Sequence, residues 1–293
     1  MKIGLECIPC FINQSIEAVK MVSDDKELHT KIITEVIKHL GTIKFDDYSP
    51  PELSKEVHEI IRSLTKSNDP YKNVKNQSNK MAEKYYYHLK NIVQNADDSL
   101  LMAIKLSIVG NVIDFGTSNR FNVEDMIENA LKKDFDDEPY PRFKEVLNKS
   151  KSILYLADNS GEIFFDKLLI EELIKNNTKI NYVVKANPII NDATVEDGFY
   201  AGIDKLTRII EGDAGQKSSA PGISLSFASD ELLKLFKSSD MIISKGQGNY
   251  ESLNNCTREI FFLLMIKCPL VAKDVGIDMG KFVLKVKNSN NMR

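Results

Sequence analysis

Ile153-Leu-Tyr-Leu-Ala-Asp158-Asn159-Ser160-Gly161-Glu162 decides how the second half of this chain is read. An apolar run ends in a short polar turn, and a helical pattern then resumes from Phe164 to Lys175. The same design recurs in Tyr182-Val-Val-Lys185-Ala-Asn-Pro188-Ile-Ile-Asn191-Asp192-Ala-Thr194 and in Met241-Ile-Ile-Ser-Lys245-Gly246-Gln247-Gly248-Asn249-Tyr250. Further strand-like runs are Thr207 to Glu211, Pro269 to Lys273 and Phe282 to Lys287, with a helical pattern at Glu231 to Phe236. Strands alternating with helices predict a parallel sheet covered on both faces. Parallel strands end on one edge, so the three polar turns should meet there.

Working back toward the N-terminus, the period changes. Phe11, Ile12, Ile16, Val19 and Val22 recur at helical spacing, as do Ile32, Ile33, Val36, Ile37 and Leu40, then Val57, Ile60, Ile61 and Leu64. Pro50-Pro51-Glu52 reads as a helix start, Lys80 to Lys90 as a helix, and Leu100 to Val112 as a more deeply buried one. The expected class is therefore α/β. Residues 1–150 form a helical lobe, as one unit or two subdomains, and residues 151–293 form an α/β/α domain with a mainly parallel sheet. The Gly/Ser/Pro-rich segment Asp213 to Gly222 is expected as a mobile loop near the same edge.

Bulk properties narrow the function. A net charge of −3 over 293 residues gives no field for nucleic acid or an anionic membrane. The longest apolar stretch, Ile260 to Ile266, is far short of the roughly 20 residues of a membrane span. The N-terminus lacks the pattern of a signal peptide, and four cysteines without one fit a reducing compartment, so a cytoplasmic location is expected.

The turns carry the chemistry. Mg²⁺ and Mn²⁺ take oxygen ligands, often one or two carboxylates with substrate phosphate completing the shell. Asp158, Asn159 and Asp192 supply such oxygens at two strand ends. Ser160-Gly161 opens a helix whose amides suit an anion, and Glu162 could orient a water or a substrate hydroxyl. Lys245 and Gly246-Gln247-Gly248 suit phosphate oxygens. Each piece has a plainer reading: Asp-Asn-Ser-Gly as a turn, Asn191-Asp192-Ala-Thr as a helix cap, Lys-Gly-Gln-Gly as a solvated loop. Three at three strand ends are harder to assign to turns. Cys7-Ile-Pro-Cys10 supplies only half of a four-cysteine metal site, and reads either as a two-cysteine site completed by His29, His39, His58 or His88 or as a packed thiol pair. None of the four histidines falls among the three turns, which argues against histidine chemistry. Gly110-Asn111-Val-Ile-Asp114 and Asn68-Asp69-Pro70-Tyr71 with Lys75 read either as caps and turns or as crevice-facing groups.

Taken together, the Cys7/Cys10 opening, Asp69-Pro70-Tyr71, Gly110-Asn111 with Asp114-Phe115-Gly116, Asp158 to Glu162, Asn191 to Thr194 and Lys245 to Glu251 resemble the metal-dependent damage-control phosphatases, in their microbial branch with the N-terminal cysteine pair. The resemblance implies a helical portion joined to a Rossmann-like three-layer portion. It implies Asp158, Asn159 and Asp192 as ligands of a divalent ion (Mn, Mg, Co or Ni), with Glu162 and Lys245 contacting substrate. The expected catalytic set is Glu162, Lys245 and Asp158, with water or Asp158 attacking phosphorus. The expected substrate-binding set is Ser160, Gly161, Asn111, Asp114, Lys185, Gly246, Gln247 and Asn249. The expected partner is a small phosphorylated metabolite. The alternatives are S-adenosylmethionine-dependent carboxyl methyl transfer, an activity also proposed in that family, and a non-catalytic metal- or metabolite-binding role with the cysteine pair as a sensor.

Overall fold

The computed structural model describes residues 1–110, 127–128, 131–132 and 135–287. Among these, seven strands form one sheet: β1 (Phe135–Asp136), β2 (Ser152–Leu156), β3 (Lys179–Val184), β4 (Arg208–Glu211), β5 (Met241–Lys245), β6 (Ile260–Met265) and β7 (Phe282–Lys287). Their order is β1-β7-β6-β5-β2-β3-β4. Every pairing is parallel except β6 with β7. The α/β class and the mainly parallel sheet are as the sequence predicts.

The strands are buried on both faces, and side-chain alternation sorts their residues. Ile153 and Tyr155 of β2, Tyr182 of β3, Met241 and Ile243 of β5, and Phe261 and Leu263 of β6 face one core. That core is covered by α4 (Lys72–Gln94), α5 (Ser99–Val109), α6 (Tyr140–Lys149) and α7 (Ile163–Leu173). Leu154, Leu156, Val183, Ile242 and Phe262 face the opposite core, beneath α9 (Asp230–Ser238), α10 (Gly246–Leu253) and α11 (Pro269–Val275). The short α8 (Val195–Tyr200) follows β3. A third core joins α1 (Cys7–Val22), α2 (Lys26–Leu40) and α3 (Pro50–Thr65) through Phe11, Val19, Ile32, Val36, Leu53, Val57 and Ile61. The first of these cores contains residues from both sides of residue 150.

Local signals explain the element ends. Ser49 and Glu52 cap α3 reciprocally, with proline in its first turn. Pro269 to Lys273, expected as a strand, is helical instead. Cys268 caps that helix, Pro269 occupies its first turn, and Gly276 ends it in the left-handed region. The strand before it is β6, which as an apolar run of helix-compatible residues carried no alternation. No helix among the described residues is long and apolar enough to cross a membrane.

The chain leaves β2 for β3 and β4 on one side, then crosses back to β5 and β6 on the other. Ligands of open α/β sheets bind outside the carboxyl ends of strands at such a reversal. Here it lies between β2 and β5, where Leu156 pairs with Ser244. Two residues further along each strand, Asp158 comes to lie beside Gly246.

Candidate active site

Beyond the β2–β5 reversal lies a cavity of about 460 Å³. Its floor is Asp158, Asn159, Ser160, Asn191, Asp192, Gln247 and Gly248. Its wall comes from the N-terminal helices: Glu6, Cys7, Cys10, Phe11 and Gln14 around α1, Pro50, Pro51 and Ser54 on α3, and Ser78 on α4. The first and second polar turns are laced together by the main chain. Ser160 N donates to Asn191 O at 2.9 Å and Ala193 N to Asp158 O at 2.8 Å, and Asn159 bridges Asp192. This pairing brings Asp158, Asn159 and Asp192 to one place although Asp192 follows a different strand.

Gly246 has φ +78°, and a β-carbon there would lie 1.9 Å from Asp158 Oδ2. Only glycine gives Asp158 this position, because a side chain would both clash and be strained. Asn159 Nδ2 donates to Asp158 Oδ2 at 3.0 Å and to Glu162 Oε2 at 3.2 Å. Asp192 is buried, and its Oδ2 has no hydrogen-bond partner; it stands 3.6 Å from Lys185 Nζ. Burial pushes the Asp192 carboxyl up to about 6, against the pull of Lys185.

Several side chains expected in the cavity lie beneath it. Lys245 continues the Met241–Ile243 row of β5 and so points into the core under α5 and α7. It is fully buried, and its ammonium donates to Ser107 O at 2.8 Å, Glu162 Oε1 at 2.5 Å and Asp166 Oδ1 at 2.7 Å. Burial lowers its pKa, but Asp166 and Glu162 more than offset this and hold it above the ordinary lysine value. Glu162 is buried with it. The position expected to grip phosphate is therefore a buried ion cluster, as strand parity requires.

The same correction applies to other expected substrate contacts. The Ser160 amide is taken by Asn191, and the Gly161 amide donates to Asn79 Oδ1 at 2.6 Å. Asn249 is fully buried. Its amide donates to Ala157 O and Lys245 O at 2.9 and 2.8 Å and accepts from Ile223 N at 2.7 Å, clamping β2, β5 and the preceding loop. Lys185 donates to Gly222 O at 2.7 Å from the opposite core. Gln247 lines the cavity, but its side chain is tied to Glu251 and to the Lys267 amide. The Asp213 to Gly222 loop, expected to be mobile, is tied down by Lys185 at Gly222 O, by the Ala186 N donation to Asp213 Oδ1 at 2.8 Å and by the Asn187 N donation to Ser219 Oγ at 3.0 Å. Asn111 and Asp114 lie outside the described residues.

Other groups arrive that the sequence reading did not select. Lys267 and Cys268 line the cavity because β6 runs parallel to β5 and ends on the same edge. Glu251 also lines it, and burial pushes its carboxyl up to about 7. Asp166, a fully buried acid in the first turn of α7, sits four residues after Glu162, a spacing that marks it as a partner of the same lysine. Asp69 and Lys75, which the sequence leaves open between a turn and a crevice role, pair at 3.0 Å in a second buried cluster that includes Asp197 and Asn79.

The oxygen-rich floor fits a hard cation: two carboxylates and an amide meet there, and one buried carboxylate oxygen has no hydrogen-bond partner. The cysteines make a weaker case. Cys7 and Cys10 line the same cavity as free thiols, Cys7 half-buried and Cys10 exposed. Among the described residues no group of three or more His, Cys, Asp or Glu side chains is arranged to hold a metal ion, so the cysteine pair gains no third such ligand.

Residues 3–283 match the family model described as the damage-control phosphatase ARMT1-like domain. A damage-control phosphatase of Archaeoglobus fulgidus is 34% identical over 98% of this chain and 99% of its own length. A damage-control phosphatase of Pyrococcus horikoshii is 34% identical, with 97% of each chain covered. An uncharacterized protein of Methanocaldococcus jannaschii is 37% identical over 97% of this chain and 95% of its own length. The crystal structure of a DUF89 family protein from Pyrococcus horikoshii superposes with a TM-score of 0.87 at 33% identity, covering 97% of this chain and 98% of that one.

Proposed function

We propose, from the premise that this chain belongs to the damage-control phosphatase ARMT1-like family, that it hydrolyses small phosphomonoester metabolites with the help of a divalent metal ion. The observation that carries the reading is the convergence of Asp158, Asn159 and Asp192 on one cavity floor, with an oxygen of Asp192 buried and without a hydrogen-bond partner. In this reading those three residues hold the ion, and their all-oxygen character favours Mg²⁺ or Mn²⁺ over softer metals, with Co²⁺ and Ni²⁺ as substitutes. Such an ion supplies Lewis-acid polarisation of a phosphate oxygen.

The chain's own groups do the rest. Gly246 leaves Asp158 room to face the floor. Asn159, with its NH₂ turned toward two carboxylates, offers its carbonyl oxygen to the floor. Lys267, the lysine that lines the cavity among the described residues, adds positive charge where phosphate would sit. Lys245 and Glu162 act from below, fixing the Asn159 turn. The wall of Gln14, Ser54 and the proline pair Pro50-Pro51 meets the alcohol portion of the ester and selects among metabolites.

The test is a phosphatase screen over a panel of phosphometabolites with Mg²⁺, Mn²⁺, Co²⁺ and Ni²⁺ in turn, run beside Asp192→Ala. Metal-stimulated phosphate release that Asp192→Ala loses, in a protein whose circular dichroism is unchanged, is the expected result. Equal turnover in the variant, or turnover indifferent to metal and chelator, rejects the reading.

A further inference from the structure

Beneath the cavity floor lies a chain of polar contacts that stability alone does not explain. Asp166 on α7 is fully buried and accepts from Tyr155 and Tyr182, which face each other across β2 and β3, each at 2.7 Å. Its third donor is Lys245 at 2.7 Å. Lys245 in turn holds Glu162 Oε1, and Glu162 Oε2 receives both the side-chain amide and the backbone N–H of Asn159, at 3.2 and 3.4 Å. A buried lysine between two carboxylates carries a large desolvation cost, and an apolar packing of similar volume is often at least as stable. What such a cluster supplies instead is fixed geometry.

That geometry bears on one atom. Between the carboxylates of Asp158 and Glu162, the Asn159 amide must present its NH₂ to both, because a carbonyl oxygen there would face two anionic acceptors. The amide's own oxygen is then directed away from them. If Lys245 relaxes, Glu162 is no longer held, and the amide loses the contact that sets its orientation.

We infer that Asp166 is a positioning residue for the cation site: through Lys245 and Glu162 it fixes the side chain of Asn159 so that its oxygen serves as a ligand. The inference rests on the reading that Asp158, Asn159 and Asp192 hold a divalent ion, and Asp166 itself touches neither ion nor substrate. Groups that orient a ligand without touching the metal typically change affinity by roughly 10–100-fold when altered.

The experiment measures Mn²⁺ dissociation constants from the free-ion electron paramagnetic resonance signal, well below the unfolding temperature. The proteins are the full-length wild type, Asp166→Asn, Tyr182→Phe and Leu173→Ala. Leu173 is buried on the same helix, away from the cluster, and its truncation lowers stability without touching the chain of contacts. The expected result is an affinity loss of about tenfold or more in Asp166→Asn and a smaller loss in Tyr182→Phe, with Leu173→Ala close to wild type. If Asp166→Asn does not fold, Tyr182→Phe decides. Unchanged affinity in the folded cluster variants, or an equal loss in Leu173→Ala, overturns the inference. Failure of the wild type to bind Mn²⁺ overturns the underlying metal reading instead, which separates the two.

Discussion

A β-carbon on Gly246 would lie 1.9 Å from the Asp158 Oδ2 atom, so two adjacent strand ends share a volume that only one of them can fill. Gly246→Ala must therefore displace Asp158 while also forcing alanine to φ +78°. The backbone strain alone costs about 1–3 kcal/mol. We expect a lowered melting temperature and a loss of metal-stimulated phosphatase activity of at least ~100-fold, a much larger effect than the stability change. Activity within a few-fold of wild type would show that Asp158 need not occupy its present place.

Asp192 gives a pH signature with a defined sign. Burial raises its carboxyl from 3.8 to about 6. A carboxyl raised on folding contributes stability that is present below pH 4 and is lost as pH rises through about 6. The amount is on the order of 3 kcal/mol. Denaturant titrations of the metal-free protein should thus show the stability of Asp192→Asn improving relative to wild type between pH 4 and 7. Protons compete with cations for the same oxygens, so wild-type Mn²⁺ affinity should climb over the same interval and level off above it. A flat difference across that interval would contradict the burial argument.

Lys245 separates a buried cluster from a phosphate grip. Lys245→Met leaves the Glu162 and Asp166 carboxylates without their cation, and breaking a buried pair in this way costs about 3–5 kcal/mol. Urea unfolding at pH 8 should register a loss of that size. The loss should shrink toward low pH, because burial and the nearby Glu162 raise the Asp166 carboxyl and favour its protonation. A lysine that merely lined the cavity would change stability by less than about 0.5 kcal/mol.

The cysteine pair should respond unequally to alkylation. Cys10 is exposed, whereas burial raises the Cys7 thiol and lowers its thiolate fraction. Mass spectrometry after timed iodoacetamide treatment should find Cys10 modified first. Because both thiols line the cavity, labelling at Cys10 should also weaken turnover of bulky phosphoesters more than that of small ones. Labelling of Cys7 first would mean that the opening of α1 sits differently from the structure.

Much of this was legible in the sequence. The alternation of strands and helices after residue 150 marked the sheet, and the three polar turns marked its working edge. Asp158, Asn159 and Asp192 do share one cavity floor. The destinations of Lys245, Asn249 and Lys185 were not legible, because a polar residue at a strand end can face the crevice or plug the layer below it. Strand parity decides this for Lys245, but its acceptors come from Ser107 on α5 and Asp166 on α7, and no local pattern announces such a meeting. The amides of Ser160 and Gly161 were hidden in the same way: their acceptors, Asn191 and Asn79, arrive from remote segments. Lys267 is not legible because β6, an apolar run without alternation, does not announce itself as a further strand ending at the edge.

The helices α1 to α3 keep a hydrophobic core separate from the two that sandwich the sheet. Yet Cys7, Cys10, Gln14, Pro50 and Ser54 reach from those helices into the cavity. Substitutions that reshape this wall can be absorbed within its own core, leaving the carboxylates of the floor undisturbed. The two halves therefore answer to different constraints: the floor is held by the register of three strands, β2, β3 and β5, while the wall can be retailored one helix face at a time.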